Sequence, residues 1–182
     1  MIVSIGGNDI ALRPSLSTMA AVAWLSLAAS DSNVENGSAF GFGHLKKLFC
    51  ENLGLYVQSL VSKTKPRKVL ICMIYHPCQN GDGWADSLLN LLGYRESNPV
   101  KVSRVHKLLE TTFREAVCKI NIPGTEIVPL QLGKVLDSKN ADLYESRVEP
   151  SVAGGRVMAS AFCDVIHKGL HESIVSSHNM KK

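Results

Sequence analysis

The sequence lacks the features that would place it quickly. Its five cysteines, Cys50, Cys72, Cys78, Cys118 and Cys163, form no C-x-x-C pair, so neither a zinc ribbon nor a thioredoxin-type redox centre is indicated. An odd number of widely spaced thiols, several inside apolar runs, suits small buried hydrophobes in a reducing compartment, the cytoplasm foremost. Aromatic residues make up only 6% of the chain, and none interleaves with the densest basic cluster, Lys63-Thr64-Lys65-Pro66-Arg67-Lys68. Nucleic acid is therefore not expected as a partner. That cluster reads as a solvated loop leading into a strand. The formal net charge is a modest +4. No apolar run approaches the roughly 20 residues of a spanning helix; the most apolar stretch runs only from Met19 to Ala29. Gly6, Gly7, Asn8 and Asp9 interrupt the apolar start too early for a secretory signal.

What is there suits one globular domain. The chain has 182 residues, 45% of them hydrophobic and 20% charged, enough to bury a sizeable core. The domain is expected over residues 1–176, with 177–182 as a polar tail. Three short, continuously apolar runs, Met1–Ile5, Lys68–Tyr75 and Glu126–Leu130, read as strands covered on both faces, which argues for a parallel sheet. Helical stripes lie between and after them. One comprises Leu45, Leu48, Phe49, Leu53, Tyr56, Leu60 and Val61, and a second Val105, Leu108, Leu109, Phe113 and Val117. The third comprises Val157, Met158, Ala161, Phe162, Val165, Ile166 and Leu170. Each is expected to bury one face against the sheet. Alternating strands and helices predict a doubly wound α/β architecture. Asp31–Gly43, Cys78–Gly83 and Asp137–Glu149 read as loops.

In such folds ligands bind beyond the carboxyl ends of the strands, so chemistry is sought after Ile5, Tyr75 and Leu130. After the first run stands Gly6-Gly7-Asn8-Asp9. Glycines there let the backbone turn sharply, and the Asn8 amide could donate to a developing oxyanion; equally, Asn8-Asp9 could cap the next helix. Before the third stripe stands Ser146-Arg147-Val148-Glu149-Pro150-Ser151, followed by Gly154-Gly155. By itself this is a helix entrance with Ser151 as N-cap.

Together these blocks resemble the SGNH (GDSL-type) hydrolase family, which has a G-x-N-D block after its third strand and a D-x-x-H-P-S block opening its last helix. The resemblance implies a three-layer, flavodoxin-like α/β/α fold and carboxylic-ester hydrolysis of the esterase or lipase type. It also implies a small ester or acyl substrate and no metal or organic cofactor. It places Asn8 in the oxyanion hole, supported by Gly6, Gly7 and Asp9. The departures are equally specific. The family's histidine position falls on Glu149 and its aspartate position on Ser146. The sequence contains no G-D-S block for a nucleophilic serine. The resemblance thus implies a chain without the family's first two strands, whose first strand would offer an edge for self-association.

Glutamate ordinarily titrates near about 4.3 and is a poor base for activating serine. The expectation is a hydrolase-like domain, inactive as this polypeptide. The alternative is a non-catalytic module binding a carboxylate, phosphate or acyl group, since helix N-termini favour anions. His76-Pro77-Cys78 offers a Cys–His pair, but across a proline the two side chains are expected to diverge. His167 and His171, at i and i+4, lack a third ligand and are expected on the surface.

Overall fold

The computed structural model describes residues 1–4 and 14–179, with side chains to residue 167. Three parallel strands form the sheet: β1 (Ile2–Ser4), β2 (Lys68–Met73) and β3 (Glu126–Gln131), in the order β1-β2-β3. Val3 pairs with Ile71, and Ile71 in turn with Pro129. Proline is tolerated in β3 because, among the described strands, it lies at the sheet's edge. The continuous apolarity of β2 is explained by burial on both faces. Val69, Ile71 and Met73 belong to the main core, while Leu70 and Cys72, pointing the other way, are 2% exposed each.

The first crossover carries α1 (Leu16–Leu27), α2 (Asp31–Glu35), α3 (Phe42–Lys46) and α4 (Leu53–Leu60), the last two joined by a π-helical turn over Lys47–Asn52. Ser15 caps α1 by accepting from the amide of Thr18 at 3.1 Å. The carboxyl end of α1 is held from the helix over Pro99–Glu115. There the buried Arg104 donates to the carbonyls of Leu25 and Ala29 and pairs with Asp31, satisfying acceptors that a helix end leaves open. The segment 31–43, expected as a loop, is helical at both ends. Ser30 caps α2, and Val34 drives its burial with no exposed surface; one apolar residue among polar ones gives no periodic signal. Gly41 adopts φ +89° where a Cβ would lie 3.3 Å from the Ala21 backbone, so a left-handed turn brings α3 directly onto α1.

The second crossover carries α5 (Asp86–Leu91) and α6 (Pro99–Glu115). Asn98 caps α6, and Pro99 occupies its first turn, where no amide is needed. Val102, Val105 and Leu108 bury its inner face. Helices α1, α2 and α3 all pack on α6. Two same-handed crossovers stepping in one direction put their helices on one face, and these contacts agree with that arrangement. The α/β class expected from the sequence holds, whereas reversal of winding, the mark of a doubly wound sheet, is not seen among the described strands.

After β3 the chain makes 3₁₀ turns at Leu132–Lys134 and Ala141–Leu143, then a small antiparallel hairpin, β4 (Tyr144–Ser146) with β5 (Glu149–Pro150). The last helix, α7 (Val152–Asn179), continues into the stretch expected as a polar tail. Ser151 accepts from the Gly154 amide at 3.2 Å. A Cβ on Gly154 would lie 2.1 Å from the Leu143 carbonyl oxygen, so glycine lets the first turn of α7 sit directly on the backbone beneath it. The third apolar stripe departs from expectation. Val157 and Ile166 are each 38% exposed, and Met158, Ala161, Phe162 and Val165 are half-buried. The main contacts of α7 among the described residues fall on the hairpin and the preceding 3₁₀ turn, because its anchored first turn fixes where it leaves the domain. Among the described residues, no helix is long and apolar enough to cross a membrane.

Candidate functional site

The carboxyl ends of β2 and β3 open onto the loops that carry the candidate residues. From β2, Tyr75, His76, Pro77, Cys78 and Gln79 run beneath the hairpin, and hydrogen bonds stitch the two together. Tyr75 donates its hydroxyl to the Val148 carbonyl at 2.6 Å, and Tyr144 donates to that of His76 at 2.8 Å. The Cys78 amide donates to the Arg147 carbonyl at 2.7 Å. Arg147, 4% exposed, then clamps three segments. Its guanidinium donates to the carbonyls of Cys78 and Tyr94, at 3.3 and 2.5 Å, and to Asp86 at 3.1 Å. The Gly83 amide above all, helped by Arg147, holds the Asp86 carboxyl below its usual range.

The hairpin carries the two positions singled out in the sequence. Glu149 is exposed and accepts from the Trp84 indole at 2.8 Å through one oxygen; the other faces the Ser146 hydroxyl at 3.4 Å. Ser146 and Glu149 are thus neighbours across β4–β5. Gly6, Gly7, Asn8 and Asp9 lie outside the described residues; the described part of β1 ends at Ser4, opposite Cys72.

The sequence reading gave His106 no role, yet it stands at the centre of the adjoining cleft. The rings of His76 and His106 stack at 3.8 Å between centroids with a 7° interplanar angle. Burial, followed by the neighbouring His106, pushes the His76 imidazole down to about 3, and burial also lowers His106. Both are therefore neutral near pH 7. The tautomer of His106 follows from its partner. Tyr94 gives its single hydroxyl proton to the Pro77 carbonyl at 2.5 Å, so His106 Nε2, 2.9 Å from the same oxygen, must be the donor. Nδ1 of His106 then carries the lone pair. His76 is seated against Gly133, where a Cβ would come within 2.7 Å of its Nε2. The surrounding cleft has a volume of about 650 Å³ and is walled by α6 on one side and by Gln79, Gly133 and Ser138 on the other. Gln79 donates to the Ser138 hydroxyl at 2.8 Å.

Cys78 is buried and packs with Leu136 and Tyr144, whereas the His76 ring stacks on that of His106. His167 is exposed, and the His171 side chain lies outside those described. Among the described residues, no three His, Cys, Asp or Glu side chains converge as metal ligands. The pairing of His76 with His106 joins residues thirty positions apart, and only the inward spacing of His106 from Val102 on α6 hints at it. Comparison with protein-family models, curated proteins and solved structures finds no match to this chain.

Proposed function

We propose that the chain is a hydrolase-like α/β domain of the SGNH type, a family of three-layer α/β/α design of which the described strands and helices would form a part, and that it does not turn over esters as this polypeptide. The observation that carries this reading is the seating of the Ser146–Ser151 block. It lies beyond the carboxyl end of the central strand, tied there through Tyr75 and Cys78, and it opens directly into a capped helix. That is where an α/β hydrolase of this type gathers its acid–base groups. Glu149 in place of histidine accepts from Trp84 and Ser146, which suits a carboxylate that holds loops together. In this reading Asn8 supplies an oxyanion donor.

The test is hydrolysis of short-chain p-nitrophenyl and acetyl esters by the purified chain, with Asn8→Ala as control. Turnover indistinguishable from that variant and from buffer is expected; robust activity lost in Asn8→Ala overturns the inactivity. An experimental structure with the Asn8 amide on the far side of the molecule from Glu149 removes the family reading itself.

A second reading, a ligand-binding module without catalysis, is favoured by the cleft beside His76 and His106. Its size falls within the usual range for small-molecule sites. Saturable binding in that cleft, with imidazole resonances of both histidines moving together and no ester turnover, supports it.

A further inference from the structure

The cleft beside His76 and His106, about 650 Å³ in volume, runs along α6, whose residues Pro99, Val102, His106 and Glu110 share one wall of it. We propose that it takes a linear alkyl diamine, with one ammonium group between His106 and Glu110, the second at Glu96, and the alkyl chain between them. The proposal rests on the binding-module reading of this cleft and names the class of ligand; no residue of the hairpin takes part in it.

The two imidazoles supply the deep end of the site. His76 is only 7% exposed and lines the cleft. Tyr144 engages its backbone carbonyl, whereas neither ring nitrogen has a hydrogen-bond partner among the described residues, and neither is sealed from solvent. The ring therefore meets its hydrogen-bonding need from the cleft. His106 is half-buried on the same wall, and its Nε2 is taken by Tyr94, which leaves the Nδ1 lone pair open. A neutral imidazole keeps one acceptor nitrogen, and a buried polar group without a partner is costly unless a ligand engages it. The pair thus asks for a ligand rich in hydrogen-bond donors.

Charge decides between a hydroxyl and an ammonium as that donor. Glu96, Glu110 and Asp137 stand on the walls, and none of them makes an ion pair among the described residues. Two lysines share the walls. Lys107 is turned to Glu35 at 2.5 Å and to Asp31 at 4.0 Å, so Lys139 alone faces the carboxylates, and a cation is drawn in. Spacing sets the shape of the ligand. Glu110 lies one turn from His106 on the same helix face. In the other direction Pro99 is about 10 Å of helix from His106, and Glu96 just precedes it. Pro99 and Val102, with Leu136 opposite, form an apolar strip between the two ends. Methylenes can lie along such a strip while the charged ends stay with the carboxylates.

The test is titration of the full chain with 1,8-diaminooctane and, separately, with 1,8-octanediol and octanedioate, which carry neutral or anionic ends on a chain of the same length, followed by NMR of the histidine side chains. Saturable binding of the diamine is expected, with the His106 Nδ1 resonance moving furthest as its lone pair accepts a hydrogen bond, and the His76 ring moving with it. Glu110→Gln, at an exposed position, should weaken binding about threefold or more. Glu145→Gln, which removes an exposed carboxylate outside the cleft, should leave it unchanged. Equal weakening in the two variants, or saturation without movement of the histidine resonances, shows attraction to net charge and overturns the proposal. If the diol or the dicarboxylate moves those resonances in place of the diamine, the diamine class falls while the binding-module reading stands. No response to any of the three at millimolar ligand overturns the proposal and takes the support from that reading as well.

Discussion

At the scale of single residues, the stacked histidines carry the clearest consequence. Folding lowers the pKa of His76 from 6.5 to about 3. The unfolded chain therefore takes up a proton below about pH 6.5 that the folded chain refuses until near pH 3. Stability from this group is complete above pH 6.5 and is lost as pH falls through that window. At about 1.4 kcal/mol per pH unit, the loss between pH 7.5 and 5 is about 2 kcal/mol. Urea midpoints measured at both pH values should show it, and His76→Gln should reduce the pH dependence by that amount; equal slopes for the two proteins contradict the linkage. Gly133 is bound to the same arrangement. Gly133→Ala, whose Cβ meets the His76 ring at 2.7 to 3.0 Å, should cost about 1–3 kcal/mol as an overpacked contact. The same variant should shift the imidazole titration of His76 by NMR. Neither effect is readable from the sequence, because a lone histidine after a strand carries no sign of what will cover it.

At the scale of elements, what was legible follows a simple rule. Strands β2 and β3 announce themselves as unbroken, mostly apolar runs, and helix α6 by burial at helical spacing, as with Val102, Val105 and Leu108. Helix α2 hides because it offers Val34 alone, and the β4–β5 hairpin hides because two or three residues set no period at all. Stability of that hairpin comes from the Arg147 clamp, a set of polar contacts that no hydrophobic pattern records. The seating of α7 was likewise concealed, since Gly154 reads as a weak helix residue and not as a point of close approach. The clamp predicts a measurable dependence. Arg147→Met leaves the carbonyls of Cys78 and Tyr94 without their donor and the part-exposed Asp86 with only the Gly83 amide, which should cost about 1–3 kcal/mol in chemical denaturation, chiefly from the two buried carbonyls. Adding Asp86→Asn should recover part of that loss by removing the stranded charge. A double variant no more stable than Arg147→Met shows that the ion pair is not what the clamp supplies.

At the scale of the whole molecule, the distribution of apolar surface bears on association. Strand β1 is three residues long and pairs, among the described strands, on one side only. Met1 and Ile2 are each 44% exposed beside that edge. An edge with free backbone groups and apolar side chains invites pairing with another copy, and a short strand blunts the tendency without removing it. A second exposed apolar area lies on α1, which contains no charged residue; there Trp24 meets Phe40 edge-on at 6.1 Å, and Phe40 is 83% exposed. The two areas predict different behaviour. Pairing through the strand adds backbone hydrogen bonds and is opposed by a charge on the edge, whereas apolar contact through α1 responds to loss of the aromatic pair. Sedimentation velocity over a concentration series should show weak self-association that Ile2→Lys reduces and Phe40→Ser leaves in place. Loss of association in Phe40→Ser with no change in Ile2→Lys transfers the contact from the strand to α1. A monomer at every concentration removes the strand as an interaction surface.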